Sequence, residues 1–460
     1  MKPNIIWITL DSVRADHTTM SGYSRNTTPN LQRIAERSDG RSFSNCFATG
    51  NGTAPSSASI LTGTYPSRHG FKMTNEALPA ELDTVPELLS KQGYSTAGLS
   101  RNSYLSSGTN LDRGFDRFEW IGSSTILQSV SPSVLAKYLF KIRSHSVGFT
   151  TDTAKHSTPF IMNETIKRWL KRLSTTQPFF LYAHYNEPHR PYYPPLPYLE
   201  RYTDDLPMTA SEAAERSMEI HRDIRDIIGE GYTISRTDEK ALIAMYDAEI
   251  AYTDEMIGRV FDHIQSLDID DTIFVVTADH GELFGENNLL GHTITLDDAV
   301  TNVPLVIHGL DDLVVAADSI VQHPDLMQTL VGMVDGRTEQ MQGVDLRHSK
   351  RTCAISQRQS FNGSGYEQNP EFDMSRFHEQ MLTSFRSDRF RYSYSDDQSE
   401  LFELPDEYTD VTKEYPEVAE RFEVNLTDWL SEEGQPISRG TEDNLTESMR
   451  RQLRDLGYVE

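Results

Sequence analysis

The sequence is short of lysine and cysteine and has no long apolar run, and each shortage narrows what the chain can be. Only 11 lysines accompany 32 arginines, and 69 acidic residues against 43 basic ones leave a formal net charge of −26. Neutralising phosphates requires a basic face, so nucleic acid is not expected as a partner. An acidic, lysine-poor composition resembles proteins of salt-in halophiles, whose hydrated carboxylates keep them dissolved where salt screens self-repulsion. Cys46 and Cys353 are too few and too far apart in sequence for a disulfide framework or a thiolate metal cluster, which points to a reducing compartment. Nothing approaches the roughly 18 consecutive apolar residues of a membrane span. The strand-like "NIIWITLDS" starts at Asn4 and leaves no room for a leader, so the expectation is a cytoplasmic protein with no membrane span.

What is present is an alternation of two periods. "NIIWITL", "PFFLYAHY" and "DTIFVVTAD" are continuous apolar runs bounded by turn residues, whereas the segment from Asp238 to Leu267 places its apolar residues at helical spacing. Continuous apolar strands separated by helices predict an α/β domain with a largely parallel sheet covered on both faces. Residues 102–160 and 190–235 lack clear periodicity and read as insertions over the loop edge of the sheet, where specificity features usually sit. After residue 345 the composition shifts to "RFRYSYSDDQSELFEL" and the amphipathic "EYPEVAERFEVNLTDWL". These predict two or three β runs and a helix. The expected organisation is a catalytic domain over 1–345, a smaller α+β subdomain over 346–438 and a polar helical tail over 439–460.

Three segments carry candidate chemistry. Asp11 closes the first strand, and Asp279 with His280 closes "TIFVVTADHGE". The carboxyl ends of parallel strands line the ligand crevice. Two carboxylates gathered there repel each other unless a cation or a tight hydrogen-bond network lies between them. Each could instead cap a following helix. The third segment is "TAPSSASILTGTYP", in which Thr53 either starts a helix or does chemistry. A free threonine hydroxyl is a poor nucleophile; metal coordination, which takes even water from about 15.7 to about 7 in the strongest case, is one device that lowers the barrier.

The ordered set "LDSVRAD", "TAPSSASILTGTYPSRHG", "GYSTAGLSRN", "HYNEPHRPYYPP", "VVTADHGE", "LLGHTITLDDAVTNVPLVI" and "ELFELPDE" resembles the sulfatase family of the alkaline phosphatase superfamily. The resemblance covers nearly the whole chain. It implies an alkaline phosphatase-like fold, a large mixed, mostly parallel sheet sandwiched by helices with a smaller C-terminal α+β domain. It also implies one divalent metal held by Asp11, Thr53, Asp279 and His280: calcium by resemblance, with manganese, magnesium or zinc compatible with the imidazole. The family's oxyanion-binding groups map onto Arg101, His189 and His292. Two positions depart from the family's C-x-P-S-R signature. Thr53 stands where the cysteine that becomes formylglycine is expected, and Ser57 stands in place of the arginine. Thr53 cannot become formylglycine, and Cys46 in "CFATGN" lacks the Pro-Ser that should follow.

The resemblance therefore implies a metal-dependent enzyme that cleaves or transfers a sulfuryl group on a glycan or other polyol ester, in intracellular glycan biosynthesis or modification. A phosphodiesterase or phosphotransferase with a threonine nucleophile is the first alternative; a non-catalytic glycan-binding protein on the same scaffold is the second. The expected partners are a sulfated or phosphorylated glycan or a small polyol ester. The sequence sets no oligomeric state.

Overall fold

The apolar run at the amino terminus forms β1 (Asn4–Leu10), and all seven of its residues are buried, so both of its faces are covered. The computed structural model describes residues 2–456 except 72–75, 151, 177, 268, 270, 362, 364–368, 370–371 and 439–440. With β2 (Gly40–Phe47), β3 (Ser95–Ser100), β4 (Arg117–Trp120), β5 (Phe179–Tyr185), β6 (Thr272–Ala278), β7 (Asn302–His308) and β8 (Val321–Gln322), β1 builds an eight-stranded sheet in the order β8-β2-β7-β6-β1-β5-β3-β4. β1 runs parallel to β5 and β6, β3 runs parallel to β4 and β5, and β8 runs parallel to β2. Only β7 opposes its neighbours β2 and β6. The sheet is mixed and mostly parallel, as the continuous apolar runs predict.

Its covering helices include α1 (Pro29–Ala35), α2 (Thr53–Thr62), α3 (Pro159–Leu173), α4 (Arg236–Gln265) and α5 (His323–Gly332). Register shows which face each covers. Ile6 lies opposite Phe274, and Trp7 lies opposite Val275. The Phe274 ring meets Phe261 of α4 at 5.4 Å, whereas Trp7 meets the His323 ring of α5 at 6.2 Å. Successive strand residues point to opposite faces, so α4 and α5 lie on opposite sides of the sheet. α1 and α3 pack with α4, and α2 packs with α5. The long α4 starts where the Ser235 hydroxyl accepts the Asp238 N–H at 3.1 Å, with Asp238 and Glu239 in its first turn.

The carboxyl-terminal part holds a second, antiparallel sheet of β9 (Ala354–Arg358), β10 (Leu382–Arg386), β11 (Phe390–Tyr394) and β12 (Ser399–Glu403). Helix α6 (Pro416–Glu432) lays Phe422 on Phe385 and Tyr392, with ring centroids at 5.4 and 6.4 Å. Four strands form where the composition predicts two or three, because "AISQR" and "LTSFR" carry too few apolar residues to stand out although they are largely buried. The tail also departs from expectation. Thr441–Glu442 pairs with Glu76–Ala77, and α7 (Glu447–Asp455) buries Met449 and Leu453 against the main sheet's loop edge. There Ser103 Oγ donates to the Met449 carbonyl at 3.2 Å, and Gln452 Nε2 donates to the Arg101 carbonyl at 2.7 Å. The segment read as a polar tail is thus docked through two apolar side chains one helical turn apart. Likewise, the 102–160 insertion holds short helices at Ile126–Ser129, Pro132–Phe140 and Ile142–His145.

Candidate active site

Because β1, β5 and β6 are parallel, their carboxyl ends open onto one edge of the sheet. β2 opposes β7, which opposes β6, so β2 ends there too and delivers the chain into α2. This topology gathers Asp11 after β1, His184 near the end of β5, Asp279 and His280 after β6, and Thr53 at the first position of α2. All five are fully buried. Ser12 adopts a left-handed φ of 64°, which turns the chain directly after Asp11 and aims its N–H at Asp279 Oδ1, 3.2 Å away. The His280 N–H donates to the same oxygen at 2.9 Å. Gly281 is required by close approach, since a Cβ there would lie 2.1 Å from the Ala299 carbonyl oxygen.

Thr53 both begins its helix and faces the carboxylate. Its Oγ1 donates toward Asp11, 3.3 Å from each carboxylate oxygen, and lies 3.4 Å from His280 Nε2. His280 Nδ1 is 2.9 Å from the Gly281 carbonyl, a contact that makes Nδ1 the donor and turns Nε2 toward Thr53 and Asp11. His280 Nε2 lies 3.4 Å from Asp11 Oδ1 and 3.8 Å from Asp279 Oδ1. The four residues of the expected metal set therefore meet around one point.

His184 joins them: its Nε2 is 3.2 Å from Asp279 Oδ2. Asp11, His184 and Asp279 offer ligand atoms all within 4.8 Å of one another. The donor set fits a divalent cation. Two fully buried carboxylates converge with imidazoles as their ion-pair partners, and among the described residues neither has an arginine or lysine partner.

The remaining candidates divide. His292 stacks toward His280 with ring centroids 4.2 Å apart, and His189 lies 5.4 Å from His292 and 6.5 Å from His280. His189 Nδ1 is 2.8 Å from the Arg190 carbonyl, and His292 Nδ1 is 3.2 Å from Glu282 Oε1, whose other oxygen accepts the Tyr192 hydroxyl at 3.2 Å. Arg101 sits farther out. Its Nη1 donates to the Ile121 carbonyl at 3.0 Å, and it borders a cavity of about 80 Å³ together with Asn186, Glu187, His189 and Arg190. The neighbouring residue takes the place beside the carboxylate, with Asn102 Nδ2 donating to Asp11 Oδ2 at 3.2 Å.

Charge is strongly polarised here. Burial opposes ionisation of Asp11, but His189, His280 and His184 hold its carboxyl far below the usual range. Burial likewise pulls His280 down, yet Asp279 and Asp11 reverse this and hold it up at about 9. Burial, then the charge of His280, pushes His292 down to about 4, and burial also lowers His189. The cluster thus has an anionic floor at Asp11 and a rim of neutral imidazoles at His189 and His292.

Sequence reasoning missed His184, Asn102 and Glu282. His184 ends the same kind of apolar run as Asp11 and Asp279, and that shared position was the available signal. Glu282 stood in the quoted "ADHGE" without a role, and Asn102 was overshadowed by the arginine before it. Cys46 lies inside β2, opposite Val303 and Val321, where burial pushes its thiol up. His69 bonds to Ser59 Oγ at 3.2 Å and the Phe71 N–H at 3.0 Å, a structural role. Arg14 pairs with Asp16 at 2.7 Å and with Glu286 at 2.6 Å.

The sulfatase family model matches residues 3–336. The chain is 27% identical over 368 residues to an arylsulfatase of Clostridium perfringens, covering 72% of this chain and 74% of that protein. Its fold superposes with a TM-score of 0.70 and 21% identity on a phosphonate monoester hydrolase of Agrobacterium radiobacter, covering 94% of this chain and 96% of that one. A TM-score of 0.69 at 19% identity relates it to a protein solved in complex with its substrate D-glucosamine-2-N,6-O-disulfate, covering 94% and 98% of the two chains.

Proposed function

The chain belongs to the sulfatase family, and on that premise we propose that it is a metal-dependent enzyme that breaks a sulfuric ester of a sugar or other polyol, with Thr53 as nucleophile. One observation carries the nucleophile: Thr53 Oγ1 is buried at the start of α2, 3.3 Å from both oxygens of Asp11 and 3.4 Å from His280 Nε2. Asp11, His184, Asp279 and His280 would hold the divalent cation, and Thr53 would be its reactive ligand. When bound, the cation supplies positive charge that lowers the barrier to deprotonating the threonine hydroxyl and screens the incoming oxyanion.

The residues then act in a fixed order. Asp11 accepts the hydrogen bond of the Thr53 hydroxyl, orients its lone pair at the ester sulfur and takes the hydroxyl proton as the new bond forms. The Thr53 oxygen bonds to sulfur, the bond from sulfur to the leaving oxygen breaks, and that oxygen takes the proton that the His189 and His292 rim acquires when the oxyanion binds against it. In the first turn of α2 the N–H groups of Thr53 and Ala54 would face the anion, Pro55 having none and Ser56 donating to the Gly52 carbonyl. Water or an acceptor alcohol then attacks sulfur and gives its proton to the His189 and His292 rim; the bond from sulfur to Thr53 breaks, and the Thr53 oxygen takes back the proton from Asp11.

The second reading exchanges sulfur for phosphorus, and the threonine itself favours it. A threonine ester lacks the geminal hydroxyl by which a hydrated aldehyde expels sulfate, so phosphoryl transfer through Thr53 is the simpler two-step chemistry. Paired aryl sulfate and aryl phosphate esters, assayed at high salt with and without an acceptor alcohol, separate the readings. Faster sulfate turnover supports the first and faster phosphate turnover the second. Binding of a sulfated glycan without turnover of either ester overturns both in favour of a binding protein.

A further inference from the structure

A second and much larger cavity, of about 820 Å³, adjoins the small polar one. Both are lined by Arg101, His156, Ser157 and Thr158, so they share a wall. The small cavity runs inward to Asn186, Glu187 and His189. The large one lies outward, among Ile121, Ile126, Leu135, Leu139, Ile142 and Ile161. Among the described residues, Arg101 is the only arginine, lysine, aspartate or glutamate lining the large cavity, although the chain as a whole carries a net charge of −26. Arg101 stands at the junction, its Nη1 bonded to the carbonyl of Ile121.

The mouth is apolar as well. Leu127, Leu139 and Phe149 line the cavity yet are 79%, 54% and 84% exposed, and Phe140 beside them is 91% exposed. They are four of the nine exposed large apolar side chains among the described residues, drawn from the short helical insertion at 126–149. Scattered exposed leucines need no explanation, but a patch that continues into a cavity of ligand size does. A cationic end with an apolar body complements one shape of molecule: an anionic head joined to a hydrocarbon chain.

We propose that this cavity holds the apolar chain of an amphiphilic ester, so that the substrate is the sulfuric or phosphoric ester of a sugar or other polyol that carries a hydrocarbon tail. The inference rests on the proposed ester-cleaving site and names its substrate class. The anionic head enters the polar cavity past Arg101 toward His189, and the tail lies between the insertion helices. Exposed Phe140 and Phe149 at the mouth suit a tail drawn from an aggregate or a bilayer surface.

The test is a series of sulfate esters of butanol, hexanol, octanol and decanol, kept below micelle-forming concentrations, with a sugar sulfate as the polar reference. Transfer of each methylene out of water predicts a rise in kcat/KM of about two- to fourfold per carbon until the cavity fills. Leu139→Glu and Phe149→Glu, both at exposed positions, should flatten the series by raising KM on the octyl and decyl esters far more than on the butyl ester. A flat series in the unaltered protein, with the esters turned over, overturns the tail cavity and leaves the enzyme intact. Calorimetric binding of decyl sulfate that exceeds butyl sulfate and is lost in Leu139→Glu, with no ester turned over, keeps the cavity and removes the enzyme reading. A dimer that Leu139→Glu dissociates would make the cavity an interface between two copies and overturn the proposal.

Discussion

Replacing Asp279 by asparagine separates the cation site from the fold. Asp279 Oδ1 accepts the N–H groups of Ser12 and His280 at 3.2 and 2.9 Å, and Oδ2 faces His184 Nε2 at 3.2 Å. An asparagine carbonyl oxygen keeps both amide bonds, so the losses are a mispaired His184 contact and the attraction to His280, together costing about 1–3 kcal/mol. A chain of 460 residues unfolding at about 2.1 cal/mol/K per residue has an unfolding entropy near 1 kcal/mol/K, so Tm falls by only about 1–3 °C. The charge, however, is gone. A divalent ion at a hundred times its Kd stabilises the native state by about 2.7 kcal/mol, which on the same scale raises Tm by about 3 °C. Scanning calorimetry with and without added calcium, manganese, magnesium or zinc, together with elemental analysis, should give that rise and near-stoichiometric metal in the unaltered protein. Asp279→Asn should show neither. Full metal content and an undiminished rise in Asp279→Asn would refute the assignment of the site.

Three further outcomes follow from particular contacts. Glu282→Gln removes the charge that orients His292 and should lower kcat/KM by about 10- to 100-fold with Tm nearly unchanged; steady-state kinetics showing no loss would detach His292 from the reaction. His292, held at about 4 by burial and by His280, and His189, lowered by burial, should both rise in pKa when an oxyanion binds against them. Binding is then linked to proton uptake, so affinity for vanadate or sulfate is greatest near pH 4 and falls as pH rises toward the bound-state value. Calorimetry in buffers of different ionisation enthalpy reads this uptake, and its absence would place the anion elsewhere. In the core, Phe261→Ala removes a ring packed on Phe274 and His308 and should cost about 3–5 kcal/mol, or about 3–5 °C in Tm. A loss below 1 °C would mean that α4 is not held to the sheet there.

The parts of the molecule legible in the sequence are those whose burial is complete. β1, β5 and β6 are buried on both faces and read as unbroken apolar runs, so Asp11 and Asp279 could be placed at strand ends before any geometry was known. The helix from Arg236 was equally plain, since thirty residues give its period room to repeat. What stayed illegible is short or half-exposed. The insertion helices of four to nine residues show no full period, and two of them expose leucine and phenylalanine that a pattern assigns to a core. α7 buries only Met449 and Leu453, which look incidental among charged residues until the helix docks on Arg101 and Ser103. His184 and Asn102 were hidden for another reason. A histidine inside a strand and an asparagine after one are commonplace, and only the sheet order puts them beside Asp279 and Asp11.

Thr53 carries the account, and trapping its ester tests the account most directly. Rapid quench during turnover of an aryl sulfate or aryl phosphate, followed by peptide mass spectrometry, should find one sulfuryl or phosphoryl group on the peptide containing Thr53. In Thr53→Ala both the label and turnover should vanish while metal content is retained. An unlabelled Thr53, together with undiminished turnover in Thr53→Ala, would contradict the claim that this threonine is the nucleophile.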